Sequence, residues 1–341
     1  MIKHLYCDIL NQMTKEKLQI KKWQAIGHEK VITALQNNIE NNLVSHAYLF
    51  VGPESVGKSV VAGSFAKTLL CENSAKPCYG CDACKKIDEG SFSDYNFINK
   101  DKGKIKIEQV RLLQHNLSLK SYGNKKVCII DGVNYFTVEA ANAILKLLEE
   151  PKGSTVFILI ASSLENIIPT IISRCTVYRF SLVAQKEISK WLESLTNNSG
   201  MIESITRMSS GRPGLAYRMI NDQEILEEKQ TTESDIEKII VSKLYNAFAN
   251  IGEWVHHEDC KLDKLDILLQ WMRDLYLFKI GSRDKLVTPE NIEKYYQKYS
   301  KLFSLNRLNK IISDIIKAKE LIKQNVNRKL VLENIALSIK R

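Results

Sequence analysis

The sequence predicts an α/β fold with a largely parallel sheet up to about residue 182, followed by a part that is helical throughout. Three observations support this prediction. Short apolar runs of strand length, such as residues 46–51 and 154–163, alternate with segments of helical periodicity. A glycine-rich turn separates the first run from the next helix, and no strand pattern occurs from Gln185 onward. This alternation favours parallel strands with helices on both faces of the sheet.

Composition indicates an ordinary soluble protein with a cytoplasmic location. Of the 341 residues, 44% are hydrophobic, and no apolar run approaches the roughly 20 residues of a membrane span. The N-terminal residues have charges among their apolar side chains and so lack the apolar core of a signal peptide. Lys and Arg exceed Asp and Glu by 49 to 39, which gives a net charge of +10. That surplus is spread along the chain and is compatible with a nucleic-acid partner.

The glycine-rich turn GPESVGKS matches the pattern of a phosphate loop, G-x-x-x-x-G-K-[ST], between a strand and a helix. Glycines at both ends allow successive N–H groups to converge on phosphate oxygens, and the helix N-terminus favours an anion. Lys58 is expected to reach the terminal phosphates and Ser59 to hold Mg²⁺. The alternative is a turn with a solvated lysine. The predicted nucleotide-binding residues here are Gly52, Pro53, Glu54, Ser55, Val56, Gly57, Lys58 and Ser59.

Four of the eight cysteines lie within fourteen residues, with the spacing C-x6-C-x2-C-x2-C. We call residues 71–84 the cysteine module. Two close Cys-x2-Cys steps and a fourth thiolate from the preceding helix end predict a structural Zn²⁺ site without an open coordination position. An iron–sulfur cluster and unliganded thiols are the alternatives. The predicted ligands are Cys71, Cys78, Cys81 and Cys84.

Two further strand ends carry candidate nucleotide contacts. An apolar strand over residues 127–130 ends at Asp131, whose carboxylate would emerge beside the phosphate loop and orient Mg²⁺. Asp131 is also interpretable as the first residue of a turn. The strand over residues 154–163 ends in Ser162 and Ser163, and Ser162 is a candidate contact of a γ-phosphate. A strand-terminal turn explains that pair nearly as well.

With these parts in place, the chain resembles the clamp-loader branch of the AAA+ ATPases of bacterial DNA polymerase III. The resemblance rests on HAYLFVGPESVGKS, the four cysteines after the first helix, IIDGVNYFTVEAANAILKLLEEP and PTIISRC, and it covers residues 23–182. It implies an AAA+ core that binds ATP or ADP with Mg²⁺, and zinc on the four cysteines. It also implies that Arg174 acts in trans, as an arginine finger in a neighbouring subunit's ATP site. Without the resemblance, Arg174 would be interpreted as the partner of a carboxylate at a helix end.

The resemblance also predicts which kind of subunit this chain is. Gly132 stands where ATPases of this kind usually carry a glutamate that orients the attacking water, so hydrolysis should be weak or absent. Gly214 falls near the motor subunit's sensor arginine, although Arg212 is close by. These features favour a non-motor subunit. A gamma/tau-type motor with another carboxylate, such as Glu139, is the first alternative, and a zinc-containing ATP-dependent DNA-binding switch is the second.

The predicted organisation has four parts. An N-terminal extension covers residues 1–22, the AAA+ core with the inserted zinc module residues 23–182, a small helical lid residues 183–225, and an all-helical collar residues 226–341. The expected partners are the gamma/tau and delta subunits in a hetero-pentameric ring, and the sliding clamp and primed DNA through that complex. No membrane partner is expected.

Overall fold

The computed structural model describes residues 19–20, 23–101, 103–165, 167–255, 264–282, 293–324 and 326–340. Apart from its residues 19 and 20, the predicted extension 1–22 lies outside these ranges. The chain divides into two compact units, residues 1–187 and 188–341. No helix of the described part combines the length and apolarity that a membrane crossing needs.

The first unit consists mainly of strands that alternate with helices. In chain order its described elements are β1 (Gln19–Ile20), α1 (Glu29–Glu40), β2 (Ala47–Val51), α2 (Lys58–Leu70), β3 (Ala75–Lys76), α3 (Asp82–Asp88), β4 (Tyr95–Asn99), α4 (Ile107–Ser118), β5 (Lys126–Asp131), a 3-10 turn (Val133–Tyr135), α5 (Val138–Glu149), β6 (Thr155–Ala161), α6 (Pro169–Ile172) and β7 (Thr176–Arg179). The boundary between the units falls inside α7 (Gln185–Leu192).

Five of these strands form a parallel sheet in the order β4-β5-β6-β2-β7. The strand that precedes the phosphate loop pairs with strands distant in sequence. β2 lies between β6 and β7, with Val51 opposite Ala161 and Arg179. Asp131 at the end of β5 lies opposite Ile160 of β6. All five strands therefore end at one edge of the sheet, where the candidate nucleotide-binding residues lie. The predicted α/β fold with a mainly parallel sheet is confirmed.

The sheet is buried on both faces, as a parallel sheet with helices on each side requires. One face of β2, β5 and β6 packs against apolar side chains of α4 and α5, and the other face packs against those of α1 and α2. Along β2, for example, Leu49 belongs to the first core and Tyr48 and Phe50 to the second. The two cores hold the strand ends in a fixed register, so the loops after them are presented as one surface.

All described secondary-structure elements of the second unit are helices. After α7 it contains α8 (Ser199–Met208), α9 (Pro213–Asn221), α10 (Gln223–Val241), α11 (Leu244–Gly252), a 3-10 turn (Glu253–Val255), α12 (Lys264–Lys279), α13 (Glu293–Tyr299), α14 (Leu305–Lys323) and α15 (Arg328–Lys340). The predicted absence of strands from Gln185 onward holds for this described part. The polar run 221–235, whose sequence is compatible with a solvated linker or with the end of a long helix, belongs largely to α10, where Lys229 and Thr232 are buried.

Polar side chains join distant helices inside this unit. The Lys340 ammonium donates to the carbonyl of Ile240 (2.8 Å) and to that of Ser242, at the C-terminus of α10. Such a cation satisfies carbonyls that the helix leaves unpaired. Lys340 thus links the C-terminal helix α15 to the end of α10. Arg212, at the start of α9, lies 3.9 Å from Asp266 of α12.

Candidate functional site

The phosphate loop leaves β2 at Gly52 and enters α2 at Lys58, and both of its glycines are required by geometry. A Cβ at Gly52 would lie 2.2 Å from the carbonyl oxygen of Phe180, which is a backbone atom that cannot move aside. Gly57 has φ +105° at the N-cap of α2, a conformation that L side chains rarely adopt. The amide of Gly52 donates to the carbonyl of Ala161 (3.2 Å), so the loop begins against the end of β6. We call residues 52–59 together with Asp131 the phosphate cradle.

Lys58 is buried inside this cradle, with 6% of its surface exposed. Its ammonium donates to the carbonyls of Gly52 and Pro53, each at 2.6 Å. Burial lowers the pKa of Lys58 to about 8, although the negative charges of Asp131 and Glu54 act to raise it. The hydrogen bonds of this ammonium go to neutral carbonyls. An anion that binds beside it would therefore stabilise its charged form.

Ser59 and Asp131 meet at the open side of the cradle, although 72 residues separate them. The Ser59 hydroxyl donates to Asp131 Oδ2 at 2.5 Å. A hydroxyl and a carboxylate in contact beside a phosphate loop form the pair that can hold Mg²⁺ on a nucleotide. The structure thus brings together the two residues that were expected to bind magnesium.

The residue after Asp131 has a backbone conformation that L side chains rarely adopt. Gly132 has φ +99° and forms the N-cap of the 3-10 turn, and its Cβ position would lie 3.2 Å from Tyr135 Cδ2. The Tyr135 hydroxyl in turn donates to Glu54 Oε1 of the phosphate loop (3.2 Å), and the Lys100 ammonium lies 4.5 Å from the Tyr135 ring centre. The Tyr135 ring therefore lies directly beside Gly132, the position at which the sequence lacks a carboxylate.

The turn that begins at Gly132 also explains the position of Ser162, through a residue that sequence reasoning missed. Asn134 Oδ1 accepts from the Ser162 amide (2.7 Å) and from its hydroxyl (3.3 Å), and Asn134 Nδ2 donates to the carbonyl of Ser163 (2.8 Å). Ser162 lies at the cradle edge, directly after the Ala161 carbonyl that receives Gly52. Its hydroxyl would have to release Asn134 in order to donate to a phosphate.

His28 supports the loop from the other side. Its Nε2–H donates to the carbonyl of Val56 (2.9 Å), and its ring centre lies 4.8 Å from that of Phe180. Val56 itself is fully buried, and Ser55 next to it has a left-handed conformation with φ +62°. The turn before α1 is thus bonded directly to the phosphate loop, a contact that the sequence did not predict.

Arg174 lies directly after α6 and is paired within its own chain. Its guanidinium forms an ion pair with Glu149 at the end of α5 (2.6 Å) and donates to the carbonyl of Thr170 (3.0 Å). About 35% of the Arg174 side chain is exposed. The carboxylate partner at a helix end matches the simpler of the two interpretations of this residue, and a role in trans requires Arg174 to exchange Glu149 for a partner on another chain.

The four cysteine thiols form one cluster, with all sulfur atoms within 4.8 Å of one another. The Sγ atoms of Cys71 and Cys81 are 3.9 Å apart, as are those of Cys78 and Cys84. Four sulfurs at the usual Zn–S distance of about 2.3 Å in a tetrahedron lie about 3.8 Å apart. The cluster therefore fits a tetrahedral metal ion with four thiolate ligands.

The protonation of the thiols supports the same conclusion. Burial raises the pKa of Cys71 and that of Cys84, so these two thiolates need a nearby cation. Burial also acts against the Cys78 thiolate, but the backbone N–H groups of Gly80 and Cys81 outweigh it and lower the pKa of Cys78 to about 6. The residues present thus fit a bound cation, and the cluster can hold a metal ion.

The cysteine module is attached to the core through α2. The Lys67 ammonium forms an ion pair with Asp88 of α3 and lies 5.2 Å from the ring centre of Tyr79. The Tyr79 hydroxyl accepts from the amide of Gln24 (3.2 Å). In addition, β1 pairs with β3 of the module, residues 19 and 20 against residues 75 and 76.

Two family models match the chain. The model described as "DNA polymerase III, delta subunit" matches residues 27–184, and the model described as "DNA polymerase III, delta subunit, C terminal" matches residues 229–341. The first covers the parallel sheet with the phosphate cradle and the cysteine module, and the second covers most of the helical unit.

Curated relatives point the same way. The chain is 29% identical over 316 residues to the DNA polymerase III subunit delta' of Bacillus subtilis, which covers 91% of this chain and 95% of that protein. It is 30% identical over 207 residues to the subunit delta' of Pseudomonas aeruginosa, and the aligned region covers 59% of this chain and 63% of that protein. It is 36% identical over 181 residues to the subunit tau/gamma of Haemophilus influenzae, and the aligned region covers 50% of this chain and 26% of that protein.

Proposed function

We propose that the chain, which two DNA polymerase III delta-subunit family models match over residues 27–184 and 229–341, is a delta-prime-type subunit of the clamp loader that binds nucleotide but hydrolyses it weakly or not at all. The clamp-loader role in replication follows from the family, and the AAA+ fold class agrees with the observed sheet. The lack of hydrolysis is carried by one observation, the occupation of the space beside Gly132 by Tyr135.

Nucleotide binding is supported by the intact phosphate cradle. The cradle offers a buried ammonium at Lys58, a hydroxyl and carboxylate pair at Ser59 and Asp131, and the N-terminus of α2. ATP or ADP with Mg²⁺ is the ligand class that these groups suit. The bound nucleotide would supply the phosphates, and the chain's own residues would bind and orient them.

Weak hydrolysis follows from the missing base. An attacking water needs a carboxylate or amide that aligns it on the γ-phosphate, and Gly132 has no side chain for that task. Glu139, the residue considered as a substitute, lies in the first turn of α5, where its own backbone N–H and Thr137 lower its pKa and hold its carboxylate. Glu139 is thus engaged in the first turn of α5, whose N-cap residue is Thr137.

The chain's contribution to hydrolysis is Arg174, acting in trans. An arginine that reaches a transferring phosphoryl group supplies charge only when subunits are assembled, and such a finger accelerates hydrolysis by about 10³-fold or more. Arg174 lies two residues after the short helix α6 with part of its side chain exposed, and its present partner Glu149 is half exposed. A surface ion pair of this kind contributes about 1 kcal/mol or less, so it can be exchanged readily.

The remaining parts of the proposal concern zinc, partners and location. Zinc is the expected ion on the four cysteines because all four ligands are thiolates in tetrahedral geometry. The partners are the gamma/tau and delta subunits in a hetero-pentameric ring, and the sliding clamp and primed DNA through it. The helical lid 183–225 and the collar 226–341 would serve assembly, and the location would be the cytoplasm.

A motor subunit of the gamma/tau type is the second candidate, and the intact cradle together with the 36% identity over half the chain favours it. Against it, Arg212 is paired with Asp266 in its own helical unit, where the Ser210 hydroxyl also donates to Gln270 (3.2 Å). The region expected to carry a sensor arginine is thus used for internal packing.

Steady-state ATPase measurements separate the two candidates. The isolated chain should bind nucleotide with Mg²⁺ and show no multiple turnover. In the reconstituted loader, Arg174→Ala should lower hydrolysis at the site it serves by about 10³-fold, with unchanged nucleotide affinity of this chain. Arg111→Ala, an exposed arginine on α4, is the matched control. Robust turnover by the isolated chain would favour the motor, and full activity of the Arg174→Ala complex would refute the finger.

A further inference from the structure

A groove lies in the second unit between α14 and α15, and all its described lining residues belong to these two helices. Its volume of about 690 Å³ falls within the usual range of ligand pockets, about 300–1,000 Å³. Along α14 it extends from Asn306 to Leu321, a length of about 22 Å at the rise of an α-helix. We call it the α14–α15 groove. Neither the phosphate cradle nor the cysteine module contributes to it.

Three basic side chains line the groove along α14. Arg307, Lys310 and Lys317 stand at positions i, i+3 and i+10, which lie on one face of a helix. Lys310 and Lys317 are exposed, and within the part of the chain that the structure describes neither ammonium forms a hydrogen bond or an ion pair. The row spans about 15 Å along the helix axis, more than one small anion can bridge. The groove therefore suits an elongated ligand with several negative charges.

Arg307 is the member of this row that other residues hold in place. Its Nη2 donates to the carbonyl of Ile339 near the end of α15 (2.7 Å), and its guanidinium carbon lies 5.2 Å from the ring centre of Phe303. Its Nε is buried and has no acceptor among the described residues. A guanidinium carries five N–H donors, so the bond to Ile339 leaves donors for a carboxylate. A side chain that is already positioned loses less conformational freedom when a ligand binds.

One carboxylate lies within the row and does not balance its charge. Asp314 Oδ2 accepts from the Ser338 hydroxyl of α15 (2.6 Å), a hydrogen bond that joins the two helices. Among the described residues that line the groove, Asp314 is the one acidic residue, so three positive charges face a single negative charge. The surplus of positive charge favours an acidic ligand.

The rest of the lining is largely apolar, which separates two kinds of acidic ligand. Ala318, Val331 and Ile335 are buried, and Leu321 and Leu337 are half-buried. The described lining contains no aromatic ring, although single-stranded nucleic acids bind largely by stacking their bases on such rings. Aliphatic side chains beside a basic row instead match an amphipathic helix that lies with its apolar face in a groove. A peptide is therefore favoured over a nucleic acid.

We propose that the α14–α15 groove binds an acidic, amphipathic helical segment of a partner protein. The apolar face of that segment packs against Leu321 and Leu337. Its carboxylates pair with Arg307, Lys310 and Lys317. A helix of about four turns matches the length of the groove. This inference goes beyond the proposed function, because the segment binds without assembly of a ring and without nucleotide at the phosphate cradle.

The test measures binding of a fluorescein-labelled peptide to the full-length chain by anisotropy at several salt concentrations. The peptide has about 15 residues, with leucines at helical spacing on one face and glutamates on its flanks. Lys310→Glu/Lys317→Glu should weaken binding about tenfold or more at low salt, and less at high salt, where exposed charges are screened. Leu337→Asn should weaken binding about fivefold or more through lost apolar contact. Lys310→Arg/Lys317→Arg should keep most of the affinity.

The matched control is Lys301→Glu/Lys329→Glu, which changes the net charge equally at two exposed lysines of the second unit outside the groove lining. Thermal unfolding confirms that each variant is folded. A second control is a peptide of the same composition whose leucines are rearranged so that no apolar face forms. Equal affinity of the groove variant and the lysine control, or equal binding of the rearranged peptide, would overturn the proposal.

Two further outcomes identify a different occupant of the groove. Binding to the isolated chain that is lost in the reconstituted loader would show that a neighbouring subunit covers the groove, and would overturn the proposal. Displacement of the peptide by dT12 at equal concentration would assign the groove to a nucleic acid instead. Retained binding in the reconstituted loader, with no displacement by dT12, is the expected result.

Discussion

The phosphate cradle and the cysteine module are two ligand sites of the same unit, and they are held in shape by different means. In the cradle, the protein supplies partners for the key polar atoms, since Lys58 donates to loop carbonyls and Ser59 to Asp131. In the module, a two-residue strand and a seven-residue helix surround four thiols about 4 Å apart. Few apolar side chains are buried there, mainly Ala83 and Ile87.

The difference lies in what each site needs from its ligand. The cradle stands at the edge of a sheet that is buried on both faces, so its geometry persists whether or not nucleotide is bound. The module has no core of its own and clusters sulfur atoms whose thiolates require a cation. We therefore expect ligand removal to leave the cradle intact and to unfold the module.

The largest expected effect is the loss of the module when its metal is removed. Metal binding by small zinc domains supplies about 10–16 kcal/mol, far more than the contacts around this cluster. Cys81→Ser, or a strong chelator, should open the module to proteolysis and lower zinc below about half an equivalent. Elemental analysis and limited proteolysis measure both outcomes.

Cys175→Ser is the control for the cysteine substitution, because Cys175 lies outside the cluster and should keep its zinc. Nucleotide affinity at the cradle should change by less than about twofold in Cys81→Ser, since distant sites are usually independent. A module that stays protease-resistant without metal would contradict the comparison between the two sites.

The next effect concerns the pH dependence of nucleotide binding. The pKa of Lys58 is about 8 in the folded chain, below its ordinary 10.5, and a bound phosphate would favour the charged form. Affinity should therefore be highest below pH 8 and fall by up to about tenfold per pH unit above it, until the pKa of the complex is reached. Calorimetry between pH 7 and about 9.5 measures the slope and the proton uptake.

Lys58→Arg removes the titrating group while keeping a positive charge, so its affinity should not vary over this range. The same shift affects stability. Because the unfolded chain binds the proton more tightly than the folded one, the free energy of unfolding should rise with pH between about 8 and 10.5. A wild-type affinity that is flat above pH 8 would show that Lys58 does not contact the phosphates.

The smallest effect tests whether the cradle is built around Gly132. A side chain there must adopt φ +99° and displace Tyr135, so Gly132→Ala should lower the free energy of unfolding by about 1–2 kcal/mol. Gly63→Ala, in the helix α2 that follows the phosphate loop, meets nothing within 4 Å and should raise the free energy of unfolding by about 0.5–1 kcal/mol. Gly132→Glu should not produce ATPase activity. Turnover in Gly132→Glu would show that only the carboxylate is missing.

Much of the fold could be predicted because its signals are local. The strand over residues 127–130, the helix after the phosphate loop and the end of strands near residue 182 follow from apolar periodicity and turn residues. The choice between a linker and a helix for residues 221–235 did not follow, because α10 packs against distant helices that bury even Lys229 and Thr232. A polar sequence gives no sign of such burial.

The sequence by itself determined the phosphate loop, the cluster of four cysteines and the absence of a carboxylate at Gly132, since each depends on residue type and spacing along a short stretch. The tertiary structure alone decided that Tyr135 lies beside Gly132, that Asn134 holds Ser162, that Arg174 pairs with Glu149, and that Lys310 and Lys317 line a groove with α15. The physical reason is that these contacts form between elements that the sheet order β4-β5-β6-β2-β7 and its two cores bring together. Spacing along the chain contains no record of that order.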